Sequence, residues 1–255
     1  MKKFIALMLG LFLLISHTAS VQAQTDLVLP DIKSVQSVDP KVTLDDLLAA
    51  LPKEAALDDP MLTLVNRDNL LDAEPWMPFA YSENGMPYHE ALYYPLAEMR
   101  QAAANAGYYY TFISGYRTIA EQANNRMYRY NSYINEGYSE GDAQYWTDLF
   151  YAPSNGSEHT TGLAVDLLGT EWAGGLTVDY AWQASALWLA DHAHEYGFIL
   201  RYVDGKTPVT GINFEPWHFR YVGKDHAAFM TKHQLVLEEY LALIKERDAR
   251  AKKPD

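Results

Sequence analysis

Two short stretches of the chain bring metal-ligating and proton-handling side chains close together. In "GSEHTTGLAVDL" (156–167), His159 and Asp166 lie seven positions apart, with only small or apolar residues packed between them. If 162–167 is a strand, its side chains alternate between two faces. Leu163, Val165 and Leu167 then point one way, and Gly162, Ala164 and Asp166 the other. The second face carries a carboxylate and almost no bulk, so another group must fill the space beside it. A metal reached by His159 from the loop entering the strand is one candidate. The ordinary alternative has Asp166 capping a turn or pairing with a base, and His159 at the surface. The second stretch, "EPWHFRYVG" (215–223), adds Glu215 and His218 at a bend made by Pro216. A catalytic zinc centre uses three protein ligands and keeps one position open. His159, Asp166 and His218 would complete such a set with N, O, N donors. Glu215 would stay beside the metal without ligating it, free to take a proton from the activated water and pass it to a leaving amine.

A third stretch, "SGYRTIAEQ" (114–122), sits where a strand meets a helix. There the Arg117 guanidinium could grip a substrate carboxylate bidentately, with Ser114, Tyr116 and Gln122 as nearby polar groups. Read in isolation, Arg117 is more simply an arginine in a surface ion pair. "YYYTFIS" (108–114) reads as a buried strand before this junction. "TIAEQANNRMYRYNSYINEG" (118–137) reads as a helix after it, opened by the capping box Thr118 and Glu121. Upstream, Leu92, Leu96, Met99 and Ala103 recur at helical spacing and stop at Gly107. A shorter helix is expected after Ser139, another at about 180–196 ending at Gly197, and a last one over 233–250. "FILRYV" (198–203) and "WHFRYVG" (217–223) read as strands joined by a short loop. Helices and strands mix without a βαβ rhythm, which predicts an α+β fold with a mostly antiparallel central sheet flanked by helices.

The chain has 255 residues, no cysteine and a formal charge of −13. Without cysteine there is no disulfide framework, thiolate zinc site or cysteine nucleophile, so a metal must be held by His, Asp and Glu. An acidic chain without a basic run is a poor nucleic-acid binder. Lys2 and Lys3, the apolar run "FIALMLGLFLLI" (4–15) and the small-x-small "VQA" (21–23) form a signal segment over 1–23. That run, about 12 residues long, is short for a membrane span of roughly 20, and no span is expected in the mature chain. Residues 24–60 read as a linker or N-terminal arm holding a short helix at 43–51, and 246–255 as a polar tail.

Together the three stretches resemble the VanY-type zinc D-alanyl-D-alanine carboxypeptidases, within the fold group of lysostaphin and the hedgehog signalling domain. The family pattern S-x-H-x-x-G-x-A-x-D is matched by Ser157, His159, Gly162, Ala164 and Asp166. E-x-W-H is matched by Glu215, Trp217 and His218, and S-G-Y-R by Ser114 to Arg117. The likeness continues through "YGFILRY" (196–202) and "LEEYL" (237–241) and spans roughly residues 62–242. It implies a catalytic domain over 61–245, one zinc ion per chain on His159, Asp166 and His218, and Glu215 as catalytic base. It also implies that Arg117 holds the substrate or stabilises charge on the attacked carbonyl, with Ser114, Tyr116, Gln122, Ser157 and Trp217 near the substrate. The implied function is an exported enzyme, periplasmic or cell-wall associated, that removes the terminal D-alanine of peptidoglycan stem peptides. An L,D-carboxypeptidase, a peptidoglycan endopeptidase and a non-catalytic wall-peptide or protein binder are the alternatives. Two departures stand out: the segment 145–156 is longer than in familiar relatives, and Thr160 replaces a common glutamine.

The remaining histidines carry no expected chemistry. His192 and His194 form an H-x-H pair within a helix, where positions i and i+2 do not face each other. His226 and His233 are expected to be solvated, His89 precedes a helix and His17 leaves with the signal. The aromatic runs "YYYTF" and "YRYNSY" are expected to pack a core rather than stack on sugars. A Ser-His hydrolase on Ser157 and His159 lacks a nucleophile elbow.

Overall fold

The computed structural model describes residues 27–36 and 39–252; the expected signal segment lies outside them. Two short helices come first, α1 (Ile32–Gln36) and α2 (Leu44–Ala50), then a hairpin of β1 (Phe79–Tyr81) and β2 (Pro87–His89). After α3 (Tyr93–Asn105) and β3 (Tyr110–Ser114) the chain forms α4 (Ile119–Asn135) and α5 (Glu140–Phe150). Then come β4 (Ala164–Gly169), α6 (Ala184–His192), β5 (Phe198–Leu200), the single turn α7 (Thr207–Thr210) and β6 (His218–Tyr221). Two helices close it, α8 (Lys224–Lys232) and α9 (Leu237–Ala251). The central sheet runs β3-β4-β6-β5 with every neighbour antiparallel, as the sequence predicts.

The alternation along β4 organises the molecule. Leu163, Val165 and Leu167 pack against Leu92, Leu96 and Met99 around α3 and against Leu189 of α6. Each such buried side chain contributes about 1.5–3 kcal/mol. On the other face the register sets Ala164 opposite Arg220 and Asp166 opposite His218. The low-bulk face is therefore filled by large polar side chains from β6. Residues 162–163 precede the strand rather than begin it. Gly162 ends a 3-10 turn (Glu158–Thr161) at φ +66°, and a Cβ there would meet His89 N at 2.9 Å. Only glycine fits both the backbone and the space.

The capped helix forms as expected, with reciprocal bonds between Thr118 and Glu121, and Ser139 caps α5. Differences arise at both ends of the chain. The described part of 24–60, expected as a linker or arm, carries Val35, Val42, Leu47, Leu48, Leu51 and Ala55 into a core shared with Leu237, Leu241 and Ile244 of α9. The α2 leucines sit on one side of a helix capped by Thr43, so burial against α9 holds the segment on the domain. The expected polar tail is helical as far as Ala251, where Arg250 pairs with Asp45 and Glu246. α8 occupies a stretch for which no helix was expected, and it buries His226, whose Nδ1 lies 2.6 Å from the Tyr240 hydroxyl. His233 is buried as well, so neither is the solvated residue that polarity alone suggests.

Of the aromatic runs, Tyr110, Phe112 and Tyr133 are core residues, whereas Tyr109 and Tyr128 are exposed. Among the described residues no helix is long and apolar enough to cross a membrane.

Candidate active site

His159, Asp166 and His218 reach one point from three elements: the 3-10 turn, β4 and β6. One donor atom from each lies within 4.8 Å of the others, and all three side chains are buried. Hydrogen-bond partners fix the imidazole tautomers. His159 Nδ1 lies 2.6 Å from the Gly115 carbonyl oxygen, which only accepts, so Nδ1 carries the hydrogen and Nε2 presents a lone pair. That Nε2 faces Asp166 Oδ2 at 3.3 Å. His218 Nε2 lies 3.3 Å from the Glu158 carboxylate, which likewise only accepts when ionised, so Nδ1 is left facing Asp166 Oδ1 at 3.0 Å. Two imidazole lone pairs and a carboxylate thus converge on one space, and acceptors this close require a positive charge among them. Without a metal that charge is a proton. Burial works against it, but the Asp166 and Glu158 carboxylates raise the His218 pKa to about 9. A divalent cation would meet the same need with a borderline N, O, N donor set of the kind zinc accepts. The residues fit the metal.

The turn 215–218 carries Pro216 at its second position, and His218 N donates to the Glu215 carbonyl at 3.2 Å. Glu215 and His218 therefore leave the chain at one mouth, with Glu215 Oε2 3.8 Å from His218 Nδ1. Burial raises the Glu215 carboxyl to about 8, aided by the nearby Asp166 and Glu158 charges and opposed by His218 and Arg117.

Gly115 binds the S-G-Y-R stretch to this centre. Its carbonyl receives His159 Nδ1–H, and a Cβ on it would lie 2.3 Å from the Pro87 carbonyl oxygen. Arg117 N donates to the His159 carbonyl at 3.1 Å. The Arg117 guanidinium donates to Gln122 Oε1 and, at 3.0 Å, to Ser114 Oγ.

A cavity of about 560 Å³ opens over the cluster, and its wall includes Arg117, Gln122, Ser157, Trp217, Glu215 and the three candidate ligands. Phe150, Tyr151 and Ala152, from the 145–156 segment, line it as well, as do Glu158, the α4 residues Tyr128 and Arg129, and Leu176 and Val178 of the loop after β4. Ser114 and Tyr116 are not among the residues lining this cavity. Ser114 holds Arg117 from behind. The Tyr116 hydroxyl donates instead to Glu74 at 3.0 Å, and its ring packs edge-on against Phe79. Gln122 uses both ends of its amide, accepting from Arg117 and donating to the Ala152 carbonyl. Trp217 packs with Leu168, Tyr180 and Ala186 while it borders the cavity.

Two participants escaped sequence reasoning. The Tyr202 ring lies 4.8 Å from that of His218. Glu158, inside the S-E-H motif, accepts from Arg201 at 2.7 Å, from Arg220 at 2.8 Å and from His218. A signal for Glu158 existed. Arg201 and Arg220 interrupt two otherwise apolar strand segments, and cations inside a sheet need buried carboxylates.

A cavity floored by this cluster, with a buried glutamate and a clamped arginine at its wall, defines a hydrolytic enzyme on an antiparallel α+β scaffold. Residues 87–224 match the VanY family, described as D-alanyl-D-alanine carboxypeptidase, and the chain belongs to that family. It is 32% identical over 197 residues to a D-alanyl-D-alanine carboxypeptidase of Enterococcus faecalis (strain ATCC 700802 / V583), covering 77% of this chain and 71% of that one. Among solved structures it resembles a mutant of the vancomycin resistance D,D-pentapeptidase VanY from a VanB-type cassette, in complex with Zn(II). That match has a TM-score of 0.65 and 33% identity, and covers 72% of this chain and 99% of the other. It also resembles the LdcB LD-carboxypeptidase, with a TM-score of 0.59 and 29% identity over 72% of this chain and 87% of that one.

Proposed function

We propose that the protein is an exported, zinc-dependent carboxypeptidase that removes the C-terminal D-alanine from peptidoglycan stem peptides. The observation that carries this reading is the convergence of His159 Nε2, Asp166 and His218 Nδ1 on one point of the cavity wall that also holds Arg117 and Glu215. A zinc ion held by those three side chains supplies a Lewis acid that activates water and polarises the scissile carbonyl. Arg117 binds the terminal carboxylate of the peptide. Its bonds to Gln122 and Ser114 fix the guanidinium plane and leave its other N–H donors for the substrate. Glu215 takes the proton of the attacking water and returns it to the nitrogen of the departing D-alanine. Its pKa of about 8 falls towards the operating pH when a cation sits beside it. Burial of the whole set excludes bulk water and strengthens these interactions.

An exported location follows from the substrate, which lies outside the cytoplasm, and agrees with the signal segment read over 1–23. A second reading, L,D-carboxypeptidase activity on the tetrapeptide, is favoured by the likeness to LdcB. Digestion of pentapeptide and tetrapeptide stems, with and without chelator and read by product mass, tests both. Loss of one alanine from the pentapeptide, abolished by chelator and restored by zinc, is the expected result. Cleavage of the tetrapeptide alone would replace the first reading by the second. Absence of cleavage in zinc-loaded protein would overturn both.

A further inference from the structure

At the Nε2 edge of His218 lies a set of four buried charges, of which Glu158 also borders the cavity. Glu158 Oε1 accepts from Arg201 Nε at 2.7 Å and from an Arg220 terminal nitrogen at 2.8 Å. Arg201 turns its two terminal nitrogens onto Glu238 of α9, at 2.9 and 2.7 Å. Arg220 reaches the carbonyls of Met61 and Thr63 with its other terminal nitrogen. Both arginines and Glu158 are essentially inaccessible to solvent. Two carboxylates and two guanidiniums balance, so the set satisfies its own charge. Yet only one Glu158 oxygen serves the arginines. The other, Oε2, faces His218 Nε2 at 3.3 Å.

We infer that Glu158 is a positioning residue for the metal ligand His218: its Oε2 holds the Nε2 hydrogen, so that Nδ1 is the nitrogen offered to the metal in a fixed ring orientation. The inference rests on the metal reading above and goes beyond it. Imidazole can present either nitrogen, and the choice is set by what the other one bonds. His159 has the Gly115 carbonyl for this task. His218 has only a side chain, and a side chain needs its own anchor. Arg201 and Arg220 provide that anchor. Their N–H groups hold Glu158 Oε1 at 2.7 and 2.8 Å and so fix the carboxylate with Oε2 turned to His218 Nε2. A carboxylate paired with guanidiniums accepts at that oxygen, which excludes the wrong tautomer. Glu238 takes the Arg201 terminal nitrogens, which Glu158 does not use, and also accepts from Asn66 at 3.3 Å. It balances the buried charge and ties Arg201 to α9 without touching His218.

The test compares Glu158→Gln with Glu238→Gln. Each removes one carboxylate from the same buried set, but only the first touches His218. Zinc affinity is measured by competition with a chromogenic chelator, folding by urea denaturation of the metal-free protein, and ligand geometry by the visible spectrum of the cobalt-substituted protein. Glu158→Gln is expected to lose about 10- to 100-fold in zinc affinity and to change the cobalt spectrum. Glu238→Gln is expected to lose folding stability while its affinity and spectrum stay those of the wild type. If Glu158→Gln does not fold, Glu158→Asp serves in its place. It keeps the charge for the arginines but draws the oxygen back from Nε2, and the same loss is expected.

Unchanged affinity and spectrum in the folded Glu158 variant would overturn the inference, as would equal losses in both variants. Wild-type protein that failed to bind zinc would overturn the metal reading first, and this inference with it. The outcomes therefore separate the two.

Discussion

His218 stands between two buried glutamates that burial alone would treat alike. Glu158 at its Nε2 and Glu215 near its Nδ1 are both shielded from solvent. Desolvation raises the pKa of each. They diverge because of their neighbours. Glu158 touches two guanidiniums and is held well below the ordinary carboxylate range, so it stays an anion at any working pH. Glu215 has no guanidinium in contact, has Asp166 and Glu158 nearby, and rises to about 8. The first is suited to hold something still and the second to exchange a proton. For a buried carboxylate, the placement of cations decides the role.

The contrast would break most visibly at Glu215. Replacing it by Gln should lower kcat by about 10²- to 10⁴-fold while zinc content measured by metal analysis stays unchanged. A loss below tenfold would place proton transfer elsewhere. At the other glutamate, Arg201→Met leaves the two buried carboxylates Glu158 and Glu238 with Arg220 as the remaining guanidinium of the set. That should destabilise the fold by about 3–5 kcal/mol in urea denaturation, the usual consequence of leaving a buried charge uncompensated. A change below 1 kcal/mol, about the worth of a surface pair, would mean that the network is solvated in solution.

A smaller effect is expected at the cavity wall. Arg117→Lys keeps the charge but loses the planar fork, and kcat/KM should fall by roughly 10- to 100-fold, the equivalent of about 1.5–3 kcal/mol for hydrogen bonds to a charged group. Retained kcat/KM would show that Arg117 acts as a point charge rather than a clamp. The smallest effect tests burial against a weak partner. His226 is buried beside Tyr240, with Asp59 at 3.5 Å, and burial wins: its pKa is lowered. In the unfolded chain it protonates near pH 6.5, so between its folded pKa and about 6.5 the unfolded state binds more protons and stability rises with pH. The contribution is complete above about 6.5 and is lost as the pH falls. His226→Gln should flatten that acid-side slope of urea stability, and an unchanged slope would assign it to other groups.

Much of the site was legible because its residues are close in sequence or obey a strict period. Asp166 and the core residue Val165 separate by alternation along β4, and Glu215 and His218 meet across one proline turn. Thr118 and Glu121 mark a helix start through bonds made within four residues. Polarity misled where tertiary packing overruled it. His226 is buried beside Tyr240 of α9 and His233 against Phe229 of α8, and the described part of 24–60 joins the core because α9 offers its leucines a matching face. Tyr116 sits in the right motif, but its ring goes to Phe79 and its hydroxyl to Glu74.

The sequence alone singled out the candidate donor set. Without cysteine, and with histidine, aspartate and glutamate at those spacings, the available chemistry and the antiparallel scaffold were already specified by local bonds and side-chain period. Only the tertiary structure decided which nitrogen of each imidazole faces the cluster and which buried glutamate is ionised. Both depend on atoms from distant segments. The Gly115 carbonyl selects the His159 tautomer across 44 positions of chain. Arg201 and Arg220 reach Glu158 across 43 and 62. Electrostatics in a buried site is set by distance in space, which separation along the chain does not record.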